Sequence, residues 1–257
     1  MASNKVLVLG AASWNRMIHV DTLPQGPSAT ILPATSPEGA GATGDGKSMV
    51  LAALGCKPTL HCALGRDDHA ARIKGACKAR GIAMVVDTQD APTPHHLNIM
   101  DKQGGRYSIF LSNGAANPLI DMQRITREIQ AADTIFLSLC QSSKGLLPLV
   151  QHSQAEVLLD LHDYDGENPW YDDFIACADI IQMSDVSLHD PDAVIARLLS
   201  GRAQQVVLTK GAAGAQIIRS EGRHVIPPCP AQMQDSNGAG DAFTVALWYG
   251  QRSGLGL

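Results

Sequence analysis

The sequence predicts an α/β protein with a mostly parallel central β-sheet, helices on both faces of that sheet, and a small accessory β-sheet, the lid. Two observations predict the central sheet: short continuous apolar runs rich in β-branched residues, and helical patterns that alternate with them. Continuous apolar runs are typical of strands buried on both faces. The third observation predicts the lid, because segments near 12–40 and 93–113 have short alternating runs with no helical pattern between them.

The predicted elements follow one another without a linker of domain-boundary composition or an internal repeat, so we expect a single domain over residues 1–257. The predicted strands are Lys5–Gly10, Thr134–Leu139, Glu156–Leu161, Asp179–Met183 and Gln205–Thr209. The predicted helices are His69–Arg80, Asp121–Ala131, Lys144–Ser153 and Pro191–Ser200. In the lid, His96–Leu111 predicts a hairpin that turns at Gln103-Gly104-Gly105.

Composition argues against several classes of function. Hydrophobic residues make up 45% of the chain and charged residues 18%, which suits a folded core. The net charge of −5, the lack of a basic run and an aromatic content of 4% argue against nucleic-acid binding. No apolar run approaches the roughly 18 residues of a membrane span, and "MASNKVLVLG" resembles a first strand more than a signal peptide. Six cysteines without a C-x-x-C pair suggest reduced thiols, so we expect a cytoplasmic protein.

The stretch "GATGDGKS", Gly41–Ser48, matches the P-loop pattern G-x-x-x-x-G-K-[ST] at every fixed position. A P-loop needs a buried strand directly before it. The preceding residues, "PATSPEGA", contain two prolines and no apolar run. Three interpretations stay open here: the phosphate loop of an NTPase, a glycine-rich turn that enters a core helix, and a ligand loop of another kind.

A second glycine-rich stretch, "QDSNGAGDAFTVALWYG", predicts an anion site. Gly238, Ala239 and Gly240 can bring three backbone amides close to an anion at the N-terminus of the helix that follows, where the helix dipole is positive. Asp241 lies in the first turn of that helix. It is either a residue that interacts with the helix dipole or a general base held beside a phosphate.

"DSNGAGDAF" resembles the signature D-T-x-G-A-G-D-x-F of the ribokinase-like (PfkB) carbohydrate kinases, with Ser236 in place of the usual threonine. The resemblance extends in order over essentially the whole chain. It includes the opening strand "LGAASWNRMIHVDTLP", the sugar loop at Gly41 and Gly44, the lid hairpin "DKQGGR", the strand end "LLDLHDYD" and the nucleotide loop "LTKGAAGA". It implies a three-layer αβα core with a β lid, and a phosphotransferase that phosphorylates a hydroxyl of a sugar-like molecule. It also implies ATP as the donor and Mg²⁺ as a cofactor.

The same resemblance implies residue roles. Asp241 would take the proton of the attacking hydroxyl, and the amides of Gly238, Ala239 and Gly240 would form the anion hole. The implied nucleotide-binding residues are Ser184, Thr209, Gly211, Ala212, Ala213 and Gly214. The implied substrate-binding residues are Asn15, Gly41, Gly44, Gly46, Lys47, Asn98 and Asp241. Asp235 and Asn237 match positions where relatives hold a monovalent cation such as K⁺.

Three departures from the family pattern bear on the substrate. Asn15 stands where relatives have a sugar-binding aspartate, Gly46 stands where they have an asparagine, and His162 replaces the asparagine of D-x-N. An amide accepts with one oxygen and donates with its nitrogen, so ribose is not the expected substrate. For Lys47 we favour a solvated lysine on a helix face, and the alternative is a lysine that meets an anionic group of the substrate.

Two further departures bear on catalysis. The Mg²⁺ motif N-x-x-E aligns with Ser184–Ser187 and lacks its glutamate, so either Asp185 substitutes or metal binding is weaker. The sequence stops near the helix that carries Asp241, so the C-terminal helices of the family are expected to be absent, either because the sequence is truncated or because the adenine pocket is open on one side. These departures favour an alternative, a non-catalytic ligand-binding protein of the same fold. A P-loop NTPase is the third possibility. The resemblance also implies a homodimer that pairs through the lid.

Overall fold

A nine-stranded β-sheet and a four-stranded β-sheet form the framework of the computed structural model, which describes residues 4–230 and 237–255. The strands are β1 (Val6–Leu9), β2 (Ser13–Val20), β3 (Glu38–Gly41), β4 (Thr59–Leu64), β5 (Ala83–Thr88), β6 (His95–Asp101), β7 (Arg106–Ser112), β8 (Thr134–Leu137), β9 (Glu156–Asp160), β10 (Ile180–Ser184), β11 (Gln205–Thr209), β12 (Ala215–Arg219) and β13 (Gly222–Ile226). The helices are α1 (Thr43–Ala53), α2 (Asp68–Ala79), α3 (Met122–Ala131), α4 (Gln141–Lys144), α5 (Leu147–Gln151), α6 (Asp172–Ile175), α7 (Pro191–Leu199) and α8 (Ala239–Arg252).

The larger sheet has the strand order β13-β12-β11-β10-β9-β8-β1-β4-β5. Its seven strands from β11 to β5 are parallel, whereas β12 and β13 pair antiparallel at one edge. The carboxyl ends of the parallel strands therefore lie along one edge of the sheet. After β1 the chain first builds the β4–β5 side and later returns to β8 on the other side of β1. Ligands of open α/β sheets bind outside the carboxyl ends at such a switch point.

Two buried apolar clusters lie on opposite faces of this sheet. Leu7 and Leu9 of β1 belong to the cluster that includes residues of α3, α5, α6 and α7. Val6 and Val8 belong to the cluster that includes residues of α1, α2 and α8. Successive side chains of a strand point to opposite faces, so the continuous apolar run of β1 serves both clusters. The predicted three-layer α/β fold is thereby confirmed. No helix within the described ranges combines the length and the apolar character that a membrane crossing requires.

The lid is the smaller sheet, with strand order β3-β2-β6-β7. Its strands lie within the two segments, near 12–40 and 93–113, that the alternating runs indicate. Strands β6 and β7 form the predicted hairpin, and Gly104 at its turn has φ +89°. The lid also contacts the segment before α8, because Arg106 Nη1 donates to Asn237 Oδ1 at 3.2 Å.

The main differences from the predicted elements have local causes. The predicted helix Lys144–Ser153 is confirmed only in part, because α4 ends at Lys144 and a separate helix, α5, covers Leu147–Gln151. Pro148 fits the first turn of α5, where its missing N–H has no intrahelical partner to lose. Four strands, β4, β5, β12 and β13, were not predicted. In β4 and β5 the apolar pattern is interrupted by buried polar residues that pair with each other, His61 Nε2 and Asp87 Oδ2 at 2.8 Å.

Candidate active site

The P-loop-like stretch does not have the geometry of a phosphate loop. Its first residue, Gly41, ends β3, a strand of the lid rather than a buried strand of the main sheet. Helix α1 begins at Thr43, so the residues from Gly44 to Ser48 are already helical. A P-loop instead follows a strand and wraps its backbone amides around phosphates before the helix begins. The NTPase interpretation therefore lacks its structural context.

The side chain of Lys47 is buried, which corrects the favoured expectation of a solvated lysine. Only 1% of its surface is exposed. Its ammonium group forms an ion pair with Oδ1 of Asp241 and lies 3.6 Å from Oδ2 of Asp160. An ammonium group can be buried at this depth because two carboxylates compensate its lost hydration. Asp160, the last residue of β9, is the aspartate of the D-x-N strand end, to which the resemblance assigned no role; its place beside the Lys47 ammonium makes it a candidate functional residue.

Glycines in the first turn of α1 allow its close approach to the neighbouring elements. A Cβ atom on Gly44 would lie 2.7 Å from the carbonyl oxygen of Ala11. A Cβ atom on Gly46 would lie 2.9 Å from Oδ2 of Asp241. Real side chains essentially never make such close contacts, so Gly44, which meets backbone, requires glycine, and a side chain at position 46 would displace the carboxylate of Asp241. Gly46 thus lies beside Asp241; its place in a substrate loop stays a prediction.

The glycine-rich stretch that predicts an anion site forms the N-terminus of α8. Gly238 precedes the helix with φ +77°, a left-handed conformation that favours glycine. The first amides of a helix have no intrahelical acceptor and lie at the positive end of its dipole. Gln182 Nε2 of β10 donates to the carbonyl oxygen of Gly240 at 3.1 Å, which fixes this N-terminus against the carboxyl edge of the sheet. Asp241, in the first helical turn, pairs with Lys47 through its carboxylate.

The predicted nucleotide-binding residues lie along the same edge. Ser184 and Thr209 are register partners at the ends of β10 and β11, and the N–H of Asp185 donates to the carbonyl oxygen of Thr209 at 3.1 Å. Residues Gly211, Ala212 and Ala213 form a short 3₁₀ turn. Gly214 follows the turn with φ +88°, and its carbonyl oxygen accepts from the N–H of Lys210 at 2.9 Å. The turn therefore leads directly from the carboxyl end of β11 into β12.

The residues present fit a metal ion only in part. Within residues 4–230 and 237–255 no group of three or more His, Cys, Asp or Glu side chains is arranged to hold a metal ion. Asp185 supplies a half-buried carboxylate beside the predicted nucleotide loop. One carboxylate is compatible with Mg²⁺ that nucleotide phosphates and water hold for the most part. For the monovalent cation, Asp235 lies outside the described residues, and the side-chain oxygen of Asn237 already accepts from Arg106.

Three predicted substrate residues lie together on the lid. Asn15 is almost fully buried, and its Oδ1 accepts from Ser13 Oγ at 2.6 Å. Its Nδ2 lies against Gly41, where a Cβ atom would overlap it. Asn98 on the neighbouring strand accepts from Ser108 Oγ at 2.7 Å. The carbonyl oxygens of both asparagines accept hydrogen bonds, and Nδ2 of Asn98 already donates to Met17 Sδ at 3.4 Å. The remaining capacity of the two side chains is mainly that of N–H donors, where an aspartate would be an acceptor.

Helix α1 also carries a buried carboxylate, Asp45, which does not point at Asp241. Its Oδ1 accepts from Cys77 Sγ of α2 at 3.2 Å, and its Oδ2 has no hydrogen-bond partner among the residues that the structure describes. Burial raises the pKa of Asp45, against the opposing effect of the Cys77 hydrogen bond. Burial, reinforced by Asp45, also raises the pKa of Cys77 to about 12. This pair could not be predicted from the sequence, because only the packing of α1 on α2 brings the two side chains together.

Replacing Asp45 by alanine is expected to stabilise the protein at pH 7. An unsatisfied buried polar atom costs about 1–3 kcal/mol, and alanine has the highest helix propensity. Because the pKa of Asp45 is raised on folding, the carboxyl group is tolerated below pH 3.8 and destabilises the fold as the pH rises and it ionises. The gain, roughly 2–4 °C in Tm for each kcal/mol, should therefore shrink towards pH 4.

Thermal unfolding of Asp45→Ala at pH 4 and pH 7 measures this gain, with Asp68→Ala in the first turn of α2 as the exposed control. The control should show no gain at pH 7. A gain for Asp45→Ala that is equal at both pH values would contradict the assignment of Asp45 as a destabilising buried acid.

A cavity of about 1190 Å³ lies at the opposite, amino-terminal edge of the sheet and is not the candidate site. Its lining includes the first residues of β9, β10 and β11: Glu156, Ile180 and Gln205. Two of the charged residues there already pair with each other, since Arg202 Nε donates to Asp179 Oδ1 at 2.9 Å. The residues implied in chemistry lie instead at the carboxyl edge.

Comparison with known proteins gives a consistent result. The family model described as "pfkB family carbohydrate kinase" matches residues 4–257. The acarbose 7(IV)-phosphotransferase of Actinoplanes sp. is 29% identical over 97% of this chain and 85% of its own length. The bifunctional ribokinase/ribose-5-phosphate isomerase A of Fructilactobacillus sanfranciscensis is 21% identical over 95% of this chain and 48% of its own length.

Two solved structures extend the comparison to the fold. The microbiome-derived acarbose kinase Mak1 is 27% identical with a TM-score of 0.87, over 98% of this chain and 87% of its own. The Arabidopsis thaliana ribokinase complexed with ribose and ATP is 21% identical with a TM-score of 0.79, over 99% of this chain and 88% of its own. The second likeness concerns the fold alone.

Proposed function

This chain belongs to the pfkB family of carbohydrate kinases, and from that premise we propose that it transfers the γ-phosphoryl group of ATP to a hydroxyl of a carbohydrate, with Asp241 as the general base. One observation carries the proposal for the mechanism. The carboxylate of Asp241 lies in the first turn of α8, at the carboxyl edge of the parallel sheet. The backbone amides at the start of this helix, which follows Gly238, belong to the same turn. A base and an anion site therefore belong to the same helical turn.

The proposed reaction needs few protein groups. Asp241 accepts the proton of the acceptor hydroxyl, and the hydroxyl oxygen forms a bond to the γ-phosphorus of ATP. The bond from that phosphorus to the bridging oxygen breaks, and its electron pair leaves with ADP. The amides of Gly238, Ala239 and Gly240 donate to the phosphoryl oxygens, whose charge is best stabilised by donors fixed in advance.

The nucleotide is proposed to lie along the ends of β10 and β11. Ser184 and Thr209 would border it, and the turn from Gly211 to Gly214 would follow its phosphate chain or ribose. Asp185 would hold Mg²⁺ through water, and the metal would neutralise charge on the phosphates. Binding of a monovalent cation near Asn237 stays a prediction.

The proposed acceptor is a carbohydrate of the acarbose type rather than ribose. Two relatives of similar length are named for acarbose, and both cover most of this chain. The engaged oxygen of Asn15 adds a physical argument, because an N–H donor at this position does not reproduce the hydroxyl-accepting carboxylate that ribose-binding relatives have there.

A coupled ADP-release assay over acarbose, maltotriose, ribose and inosine tests the proposed function. We expect turnover with acarbose or maltotriose and with ATP as the donor, and little with ribose. Binding of ATP and carbohydrate by calorimetry without any turnover would contradict it and favour a non-catalytic binding protein.

We also propose a homodimer that pairs through the lid. Strand β7 lies at the open edge of the lid and exposes a run of apolar side chains: Tyr107, Ile109, Phe110 and Leu111. An exposed apolar edge strand invites pairing with another chain. A second copy of this lid would cover it.

Sedimentation velocity at tens of micromolar is expected to give a dimer for the native chain and a monomer for Ile109→Lys, because a buried lysine at a strand edge opposes pairing. The control is Val225→Lys on the exposed edge strand β13, which should leave the dimer intact. A monomeric native chain, or a dimer that only Val225→Lys disrupts, would argue against the lid as the interface.

A further inference from the structure

We propose that Lys47 is a positioning residue of the kinase site: its buried ammonium group holds Oδ1 of Asp241 and offsets the charge of Asp160, which leaves Oδ2 of Asp241 as the oxygen that accepts the substrate proton. The inference rests on the proposed role of Asp241 as the general base. It assigns to Lys47 a part in catalysis that is exerted through Asp241 rather than through contact with the carbohydrate.

The burial of Lys47 indicates that its ammonium group does not contact the carbohydrate. A lysine that binds an anionic substrate group must present its ammonium to a cavity, whereas this side chain is 1% exposed. The ammonium instead lies between the last residue of β9, Asp160, and the first turn of α8, where Asp241 is located. Lys47 therefore ties α1, β9 and α8 together at one point.

The ammonium group of Lys47 also balances the negative charge of the two buried carboxylates. Asp160 and Asp241 are both buried, and the position of a Cβ atom on Gly240 lies 3.7 Å from Asp160 Oδ2. Without a cation, two carboxylates would thus adjoin the amides that have to receive a phosphoryl group. Lys47 offsets one of these charges, and His162 Nδ1 lies 3.5 Å from the same Asp160 oxygen. A fixed cation at this place lowers the repulsion that an approaching phosphate would meet.

The two carboxylate oxygens of Asp241 have different surroundings, and this difference indicates which of them accepts the proton. Oδ1 is paired with Lys47. Oδ2 lies beside Gly46, at 2.9 Å from the position that a Cβ atom would take. Because Gly46 has no Cβ atom, Oδ2 can lie this close to α1 without a clash. The lysine and the glycine are neighbours in sequence, so one turn of α1 both orients the carboxylate and accommodates its second oxygen.

The first experiment uses Lys47→Met, which keeps much of the side-chain length and removes the charge. We expect kcat to fall by about 10²-fold, the cost of a base that is displaced by about 1 Å. The KM values for carbohydrate and ATP should stay within about three-fold of the native values. An unchanged kcat with a raised KM for the carbohydrate would overturn the proposal, because it would show direct substrate binding.

A double variant tests whether Lys47 acts through Asp241. If it does, adding Lys47→Met to Asp241→Asn should change kcat by less than about two-fold, because the carboxylate base that Lys47 orients is already absent. Losses that multiply would overturn the proposal. The proposed function fails separately: near-normal turnover in Asp241→Asn alone would remove Asp241 as the base, whereas a fully active Lys47→Met beside an inactive Asp241→Asn would overturn only the role of Lys47.

Circular dichroism shows whether Lys47→Met folds. If it does not, Gly46→Ala tests the proposed role of the first turn of α1 instead. The added methyl group would crowd Oδ2 while Lys47 remains, so kcat should fall at least ten-fold. The matched control is Gly75→Ala in α2, where a Cβ atom would meet nothing within 4 Å, and its kcat should stay within two-fold. A Gly46→Ala protein with native kcat would overturn the assignment of Oδ2.

Discussion

Replacing Asp241 by asparagine is expected to lower kcat by about 10²–10⁴-fold, the usual contribution of a general base. Asparagine has nearly the same size and still accepts a hydrogen bond from Lys47, but it cannot take up the proton of the acceptor hydroxyl. ATP binding should survive, because the proposed nucleotide contacts lie at the ends of β10 and β11 and at backbone amides. Initial rates and calorimetric titration with ATP measure the two effects on the same protein.

The control for this substitution is Asp173→Asn, an exposed residue of α6 on the opposite face of the sheet, which should retain full activity. The ATP affinity of Lys47→Ala distinguishes the kinase interpretation from the P-loop interpretation. In the kinase interpretation it should keep its ATP affinity within a few-fold. Severe loss of ATP binding in Lys47→Ala together with near-normal turnover in Asp241→Asn would contradict the kinase mechanism and favour a phosphate loop at Gly41–Ser48.

Replacing Gly214 by alanine is expected to disrupt the proposed nucleotide loop. Gly214 has φ +88° and ψ −140°, a backbone conformation that side chains strongly disfavour, at a cost of about 1–3 kcal/mol. A Cβ atom there would also overlap the carbonyl oxygen of Ile226 and lie 3.0 Å from the nitrogen of Pro228. The turn between β11 and β12 would have to move, so we expect a lower Tm and at least a ten-fold loss of ATP affinity.

Gly211→Ala is the matched control within the same turn. Gly211 also has a positive φ of +52°, but a Cβ atom there would meet nothing within 4 Å. It should cost only the roughly 1–2 kcal/mol of a left-handed residue and leave ATP binding within a few-fold. Calorimetric titration and thermal unfolding of both variants provide the comparison. Native ATP affinity in Gly214→Ala would show that this turn does not hold the nucleotide.

The sequence alone predicted the α/β architecture and the family resemblance, and both are confirmed. These predictions depended on local features. The run Gln205–Thr209 coincides with β11, because a strand buried on both faces needs a continuous apolar segment. The stretch around Gly238–Asp241 predicted a helix N-terminus with free amides, since these properties follow from glycine and from the helix itself. The roles of the individual site residues stay predictions.

The environment of Lys47 could not be predicted from the sequence. Its spacing in α1 is compatible with an exposed lysine, and its partners Asp160 and Asp241 are remote in sequence, Asp241 by 194 positions. Only the packing of α1 against α8 and the end of β9 brings the three charges together. The sequence by itself thus determined which elements form and which short motifs they carry, because these depend on neighbours within a few residues. The tertiary structure decided which charges are buried together, because burial and pairing depend on elements that meet only when the chain has folded.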